Sequence, residues 1–345
     1  MTADSTTRGM LALCTAILVA TALYLGQSIF APVAFSIFVM AVVWPLQSAL
    51  QAKMPKVAAL VFTLIVTLLA LAMFGLAIAW GSSQVGQWLL RNLDRFQFIY
   101  TKTNAWLEEH GIFATALLAE RFHVGWLVRL VQQVAARLNS MVGFALLVFA
   151  FTILGLLEVG QADLRIKKVE TLHPDLRLSL ATERIAGQFR KYMLVRSIAS
   201  VLTGFMTFCF ALLVGIDLAP AWGVMTFVLN YIPFLGPLAA VVLTTLFAGA
   251  QFESLQMTLI VLAGLSVIQF VIGSYLEPRL AGATLAISPF LVLFAVFFWS
   301  FLWGIPGAFI GVPISIAMLT ICDQYAASRW LAALLSDPAS QKHGL

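Results

Sequence analysis

Leu218 to Phe252 reads LAPAWGVMTFVLNYIPFLGPLAAVVLTTLFAGAQF, an uncharged stretch interrupted at its centre by Pro233, Gly236 and Pro237. A membrane crossing takes about 20 apolar residues, so this segment is long for one crossing and short for two. Proline removes a backbone donor and collides with the preceding turn, and glycine weakens a helix. A break is therefore expected between Asn230 and Pro237. Two half-length helices then return to the side they came from, or one long helix kinks as it crosses, since proline kinks are common in membrane helices. The same texture recurs in Ser288 to Cys322, broken by Gly304-Ile305-Pro306-Gly307 and by Gly311-Val312-Pro313. Ser197 to Ile216 precedes the first broken segment and Ser254 to Leu276 separates the two, both unbroken. The order is plain helix, broken segment, plain helix, broken segment.

That order predicts an inverted repeat of two re-entrant hairpins with their tips near the bilayer middle. Paired Pro/Gly-interrupted segments in matching positions point to a transport site. The rest of the chain agrees. Hydrophobic residues make up 61% and charged residues 10%, against about 25% charged in soluble domains. Lipid is then the main solvent, and only helices or closed barrels satisfy the backbone there. The apolar runs are long and continuous, unlike the short alternating segments of a barrel. The fold class is all-α integral membrane, a polytopic helical bundle with about eight membrane segments.

Residues 1–81 read as three scaffold spans. Two lie within Gly9 to Ala52, turning near Gln27, Ser28 and Pro32 and ended by Lys53 and Lys56; the third runs from Val57 to Trp80. Arg8 before an apolar run resembles a signal peptide, but the missing small-x-small site makes it a retained anchor. Residues 82–139 mix charge and aromatics. Val85, Trp88, Leu89, Leu93 and Phe96, then Phe122, Trp126, Leu130, Val134 and Leu138, fall at helical spacing, which predicts amphipathic helices on the membrane or between subunits. Residues 140–160 hold a fourth span. Residues 161–193 form a basic loop, rich in Arg and Lys from Arg165 to Lys191, which the positive-inside rule puts in the cytoplasm. Residues 194–322 carry the broken segments 218–252 and 288–322, and 323–345 form a tail. Both termini then fall in the cytoplasm. The net charge of +5 sits mostly in the basic loop and suits a membrane face, with no nucleic acid as partner. Cys14, Cys209 and Cys322 are far apart in apolar runs and read as small hydrophobic side chains.

Chemistry concentrates at the breaks. A broken helix frees carbonyls and amides, and with the Asn230 amide these can hold a small polyol or an ion; alternatively Asn230 caps its own half-helix. Glu277-Pro278-Arg279 closes the plain helix. The residue before a proline is driven to an extended shape, where positions two apart point the same way. Glu277 and Arg279 are thus expected to pair, as a gate or as an interfacial anchor. Asp217, Glu253, Glu158 and Asp323 sit at span ends. Gly204, Gly215, Gly223, Gly264 and Gly273 are expected to permit close helix approach. The sequence has no GxxxxGK[ST] and no HExxH, and no His or Lys beside a serine within a span. It implies no enzyme, no metal and no cofactor.

Taken together, Asn230-Tyr231-Ile232-Pro233-Phe234-Leu235-Gly236-Pro237, Glu277-Pro278-Arg279-Leu280 with Gly282, Ser288-Pro289, Phe298-Trp299 and the run from Gly304 to Pro313 resemble the autoinducer-2 exporter family of bacterial permeases. Order and spacing agree from Lys191 to Cys322. Ser300 stands where the family has glycine, Leu285-Ala286-Ile287-Ser288 where it often has Leu-Gly-Leu-Ser, and Ala281 where it often has a bulky residue. The resemblance implies export of autoinducer-2, or in some relatives sodium–proton antiport. It also implies a homo-oligomer, a pentamer, with elevator-like movement of the C-terminal portion in the bacterial cytoplasmic membrane. The sequence predicts a secondary transporter or exporter of a small polar molecule. Its binding or gating set is Asn230, Tyr231, Pro233, Gly236, Pro237, Glu277, Pro278, Arg279, Gly282, Ser288, Pro289, Pro306, Gly307, Gly311 and Pro313, with lipid and a proton or sodium ion as further partners. A cation–proton antiporter and a non-transporting membrane scaffold are the alternatives.

Overall fold

A computed structural model describes residues 5–95, 101, 109, 125–172, 178–281 and 288–324. Every regular element among the described residues is helical, and seven helices are long and apolar enough to cross a membrane. The first pair is α1 (Ser5–Leu25) and α2 (Gln27–Gln51). They part at Gly26, just before the predicted turn, so Gln27, Ser28 and Pro32 all lie inside α2. The Phe30 ring covers Gly26 so closely that a Cβ there would come within 2.7 Å of it. The Gly26 N–H still reaches the Ala22 carbonyl and its own carbonyl accepts from the Phe30 N–H, so the helical hydrogen bonds run through this junction.

The next helices outrun the membrane. α3 (Lys56–Arg91) has 36 residues, about 54 Å at 1.5 Å per residue, against a hydrocarbon core of about 30 Å. Val85, Trp88 and Leu89, read as the start of a separate amphipathic helix, are the last turns of α3. Phe96 and Phe122, and the side chains of Trp126, Leu130, Val134 and Leu138, lie outside the described residues. The 48-residue α4 (Gly125–Leu172) and the 37-residue α5 (Leu178–Val214) carry helix through most of the stretch read as a basic loop; His173 to Arg177 are outside the described residues. Glu, Lys, Arg and Leu are good helix formers, so charge density there marks a helix surface. Glu170 links the two helices. Its carboxylate accepts hydrogen bonds from the Ser179 backbone N–H at 2.7 Å and hydroxyl at 2.8 Å. These bonds, at the positive end of the α5 dipole, hold the Glu170 carboxyl below its usual range.

The remaining helices are α6 (Ala219–Leu229), α7 (Leu235–Phe252), α8 (Leu255–Phe270), a π-helical turn Val271–Leu276, α9 (Glu277–Ala281) and α10 (Pro289–Gln324). The chain forms two compact units, one of Met1–Thr67, Ala145–Met193 and Ala281–Leu345, the other of Leu68–Phe144 and Leu194–Leu280. Each broken segment belongs to a different unit.

In the second unit the first broken segment is a hairpin of α6 and α7. The Asp217 N–H donates to Gln251 Oε1 at 2.8 Å, and Gln251 Nε2 donates to the Gly215 carbonyl at 2.8 Å. The segment thus leaves and returns at one place, which a kinked crossing cannot do. Behind it lies a core of Trp222, Val241, Phe247, Val261 and Leu265, with the Trp88 ring 4.1 Å from that of Phe247. Gly204 and Gly223 touch where α5 crosses α6; a Cβ on Gly204 would meet the Gly223 carbonyl at 2.7 Å. Gly264 lies beneath the Phe210 ring. Gly215 instead ends α5 with φ of +80°. Gly273 has nothing within 4 Å of a Cβ, so the close approach expected there is absent.

In the first unit the second broken segment also doubles back. Gly304 leaves helical geometry at φ 64°, ψ −141°, values open to glycine. The halves 289–303 and 305–324 then run antiparallel. Gly307 packs on the Trp299 carbonyl and Gly311 on the Ala295 carbonyl, where a Cβ would come to 1.9 and 2.9 Å. Trp303 donates to the Leu23 carbonyl of α1 at 3.0 Å, and Phe35 of α2 meets Phe309 with ring centres 5.4 Å apart.

Candidate functional site

The tip of the first hairpin is shaped by its punctuation residues. α6 ends at Asn230, whose N–H donates to Thr226 at 2.9 Å. Pro233 stops the helix. The chain then reverses at Phe234, with φ 60° and ψ −54°, while the Leu235 N–H reaches the Pro233 carbonyl at 2.6 Å. This is a γ-turn of the positive-φ kind, which is rare and strained for a residue with a side chain. Gly236 follows, so close to the Leu229 carbonyl that a Cβ would lie 1.8 Å from it. Pro237 sits in the first turn of α7, where its missing N–H costs nothing.

The tip brings its polar side chains to one turn of α5. Asn230, 3% exposed, donates from its amide to Ser200 Oγ at 3.3 Å. The amide therefore reaches across to α5 instead of capping its own helix. The Tyr231 hydroxyl donates to Ser197 Oγ at 3.1 Å, and its ring stands edge-on to Phe74 and Phe227. Ser200 lies 16 residues before Ile216, about 24 Å of helix. The tip therefore reaches about 24 Å along α5 from the base of the hairpin.

One residue before Ser197 on the same helix is Arg196, 4% exposed. It forms an ion pair through Nη1 with Glu277 Oε1, whose side chain is 25% exposed. The expected Glu277–Arg279 pair does not form. Glu277 is helical, at φ −58° and ψ −47°, not extended. Proline is tolerated in the first turn of a helix, and α9 starts at Glu277. The π-helical turn before it adds residues to one turn of the helix, a device frequent at functional sites. Arg279 lies 3.9 Å over the Tyr275 ring, a cation–π contact. Arg196 keeps Nε and Nη2 buried and without a hydrogen-bond partner.

The other residues singled out from the sequence serve elsewhere. Ser288 caps α10, accepting from the Leu291 N–H at 3.2 Å, and Pro289 takes the first helical position. Pro306, Gly307, Gly311 and Pro313 build the second hairpin, in the other unit. Gly282 lies outside the described residues.

Two helical hairpins in an apolar chain, the first with a buried polar cluster at its tip, suit a transporter, and the comparison with known proteins decides the family. Residues 13–327 match the AI-2E family transporter description. The chain belongs to the AI-2E transporter family. It is a multi-pass membrane transporter. It is 26% identical to the AI-2 transport protein TqsA of Escherichia coli strain K12, over 90% of each chain. A provisionally named transport protein of Borreliella burgdorferi is 34% identical over 56% of this chain and 54% of its own length. Another such protein, YhhT of Escherichia coli, is 30% identical over 36% of this chain and 35% of its own. The chain therefore spans only about half of the Borreliella protein.

In this AI-2E transporter the sequence points to Asn230, Tyr231 and Glu277, and the fold brings all three to α5. Sequence reasoning misses their partners Arg196, Ser197 and Ser200, because Arg196 reads as the last charge of a solvated basic stretch. The available signal is its position: a cation next to an apolar span, with a serine four places on that shares its face of the helix.

Proposed function

We propose that this transporter exports a small polar molecule of the autoinducer-2 kind across the bacterial cytoplasmic membrane. The observation that carries the reading is the row of polar contacts along one stretch of α5. There Ser200 and Ser197 hold Asn230 and Tyr231 of the hairpin tip, and the buried Arg196 holds the part-exposed Glu277. Polar and ionisable groups are expensive at membrane depth and mark substrate pathways. Membership of the family and the name of the TqsA relative support the substrate class. In this reading Asn230 and the tip backbone bind, and Glu277 gates by holding or releasing Arg196. Gly282, Ser288, Pro289, Pro306, Gly307, Gly311 and Pro313 complete the moving parts. The copies associate as a homo-oligomer, a pentamer, with both termini in the cytoplasm and a proton or sodium gradient as driving force.

The test is efflux from proteoliposomes loaded with autoinducer-2, comparing wild type with Glu277→Ala and Pro233→Ala, with and without imposed ion gradients. Signal efflux that both variants lose is the expected result. Cation–proton exchange without signal efflux would replace the export reading with antiport, and no flux from a folded oligomer would end it.

A further inference from the structure

The Arg196–Glu277 pair is half-used, and its unused groups describe a ligand. The Arg196 guanidinium is buried, yet it spends only Nη1 on Glu277. Nε and Nη2, the edge that grips two adjacent oxygens, have no partner. Leaving buried donors unpaired costs free energy, and each specific case calls for an explanation. One helical turn along, at a Cβ separation of about 6 Å, is Ser200, wholly buried and already accepting from Asn230. The cluster therefore offers N–H groups that want acceptors. Beside them Glu277 offers carboxylate oxygen, which only accepts.

The charges narrow the class further. Arg196 and Glu277 cancel. Arg279 is turned onto Tyr275. An anion gripped by Arg196 would sit against Glu277 in a medium where like charges repel strongly. A neutral hydroxylated molecule meets no such penalty: its oxygens accept from Nε and Nη2, and its hydroxyl hydrogens donate to Glu277. An anion lacking hydroxyls cannot do both, and a hydroxylated anion still meets the repulsion of the Glu277 charge.

We propose that the Nε–Nη2 edge of Arg196, with Glu277 beside it, is a binding site for a neutral molecule bearing adjacent oxygens, at least one of them a hydroxyl. The site rests on the transport reading above and names its substrate class. Glu277 then sets charge selectivity as well as gating, by excluding oxyanions of the same shape.

The experiment uses the full chain in proteoliposomes and counterflow of two probes of one carbon skeleton, ribose and ribonate. Wild type is expected to exchange ribose and to discriminate against ribonate. Arg196→Lys keeps the charge but lacks the two-donor edge, and should lower ribose exchange about tenfold or more. Glu277→Gln keeps the shape and removes the repelling charge, and should raise the ribonate-to-ribose ratio about tenfold. That gain cannot come from misfolding. A wild type that prefers ribonate, a Glu277→Gln ratio equal to wild type, or unchanged exchange in Arg196→Lys would each overturn the substrate class. If autoinducer-2 still leaves the vesicles, the transport reading survives that result. If neither probe nor autoinducer-2 moves, both fall together.

Discussion

Gly236 and Phe234 are neighbours at the hairpin tip, and they constrain it in opposite ways. Gly236 has no room for a methyl group, because its Cβ would lie 1.8 Å from the Leu229 carbonyl. Gly236→Ala must push α7 off α6, and a loss of about 3 kcal/mol or more is expected from overpacking against backbone. Gly273→Ala is the control, since nothing lies within 4 Å of that position. A thermal melt of the two variants in detergent should show a large fall for the first and little change for the second. Phe234 has room but the wrong backbone. Its φ of 60° and ψ of −54° cost about 1–3 kcal/mol for a residue with a side chain. The ring is about half exposed, so its removal forfeits little burial. Phe234→Gly should therefore raise the melting temperature. A fall would mean that the ring holds the tip through contacts with lipid. At this scale the sequence is readable where a residue type has one physical use. Proline and glycine mark the break to within a few residues. It is unreadable where two distant residues act together, because nothing in the string around Arg196 shows that Glu277 will come to face it.

Helices are the scale at which charge misleads. The stretch from Glu158 to Arg196 looks like a loop because it is polar, yet polarity reports solvent and not conformation. Its Glu, Lys, Arg and Leu residues favour helix, and α4 and α5 extend through most of it. Glu170 is the joint between them. Its carboxyl is held below the usual range by the Ser179 N–H and hydroxyl. A carboxylate with a depressed pKa in the folded state stabilises above its unfolded pKa of about 4.3, and that contribution is lost as pH falls through the lower folded value. Glu170→Gln should thus melt below wild type near neutral pH, and the two curves should converge in acid. A gap that stays constant down to about pH 3 would show that the charge is not what Glu170 contributes. The elements that hydropathy does predict, the long plain helices, are those whose apolar runs exceed a span. The hairpins needed structure because proline and glycine permit both a kink and a reversal.

The choice between kink and reversal fixes which face of the membrane each end of the second unit meets. Gln251 joins the end of α7 to Gly215 and Asp217 at the end of α5, so the hairpin contributes no net crossing. α8 then runs back, and Glu277 meets Arg196 near the polar start of the apolar part of α5. Arg279 must therefore lie on the membrane face from which α5 enters, and Asp217 and Glu253 on the other. The positive-inside rule predicts from the basic residues ahead of Arg196 that the first of these faces is the cytoplasmic one. Single cysteines at Asp217, Glu253 and Arg279, in a chain with Cys14, Cys209 and Cys322 replaced by serine, provide the measurement. An impermeant maleimide added outside intact cells should label Asp217→Cys and Glu253→Cys and leave Arg279→Cys unmodified until the membrane is opened. Labelling of Arg279→Cys from outside with Glu253→Cys protected, while Asp217→Cys is still labelled, would require the 218–252 segment to cross the membrane. The Gln251 contacts would then have to break in the bilayer, and the hairpin, together with the site at its tip, would have to be abandoned. Labelling of Glu253→Cys and Arg279→Cys together would mean that α8 does not cross. Labelling of Arg279→Cys with Glu253→Cys and Asp217→Cys both protected would keep the hairpin and invert the protein, sending the basic stretch outside against its charge.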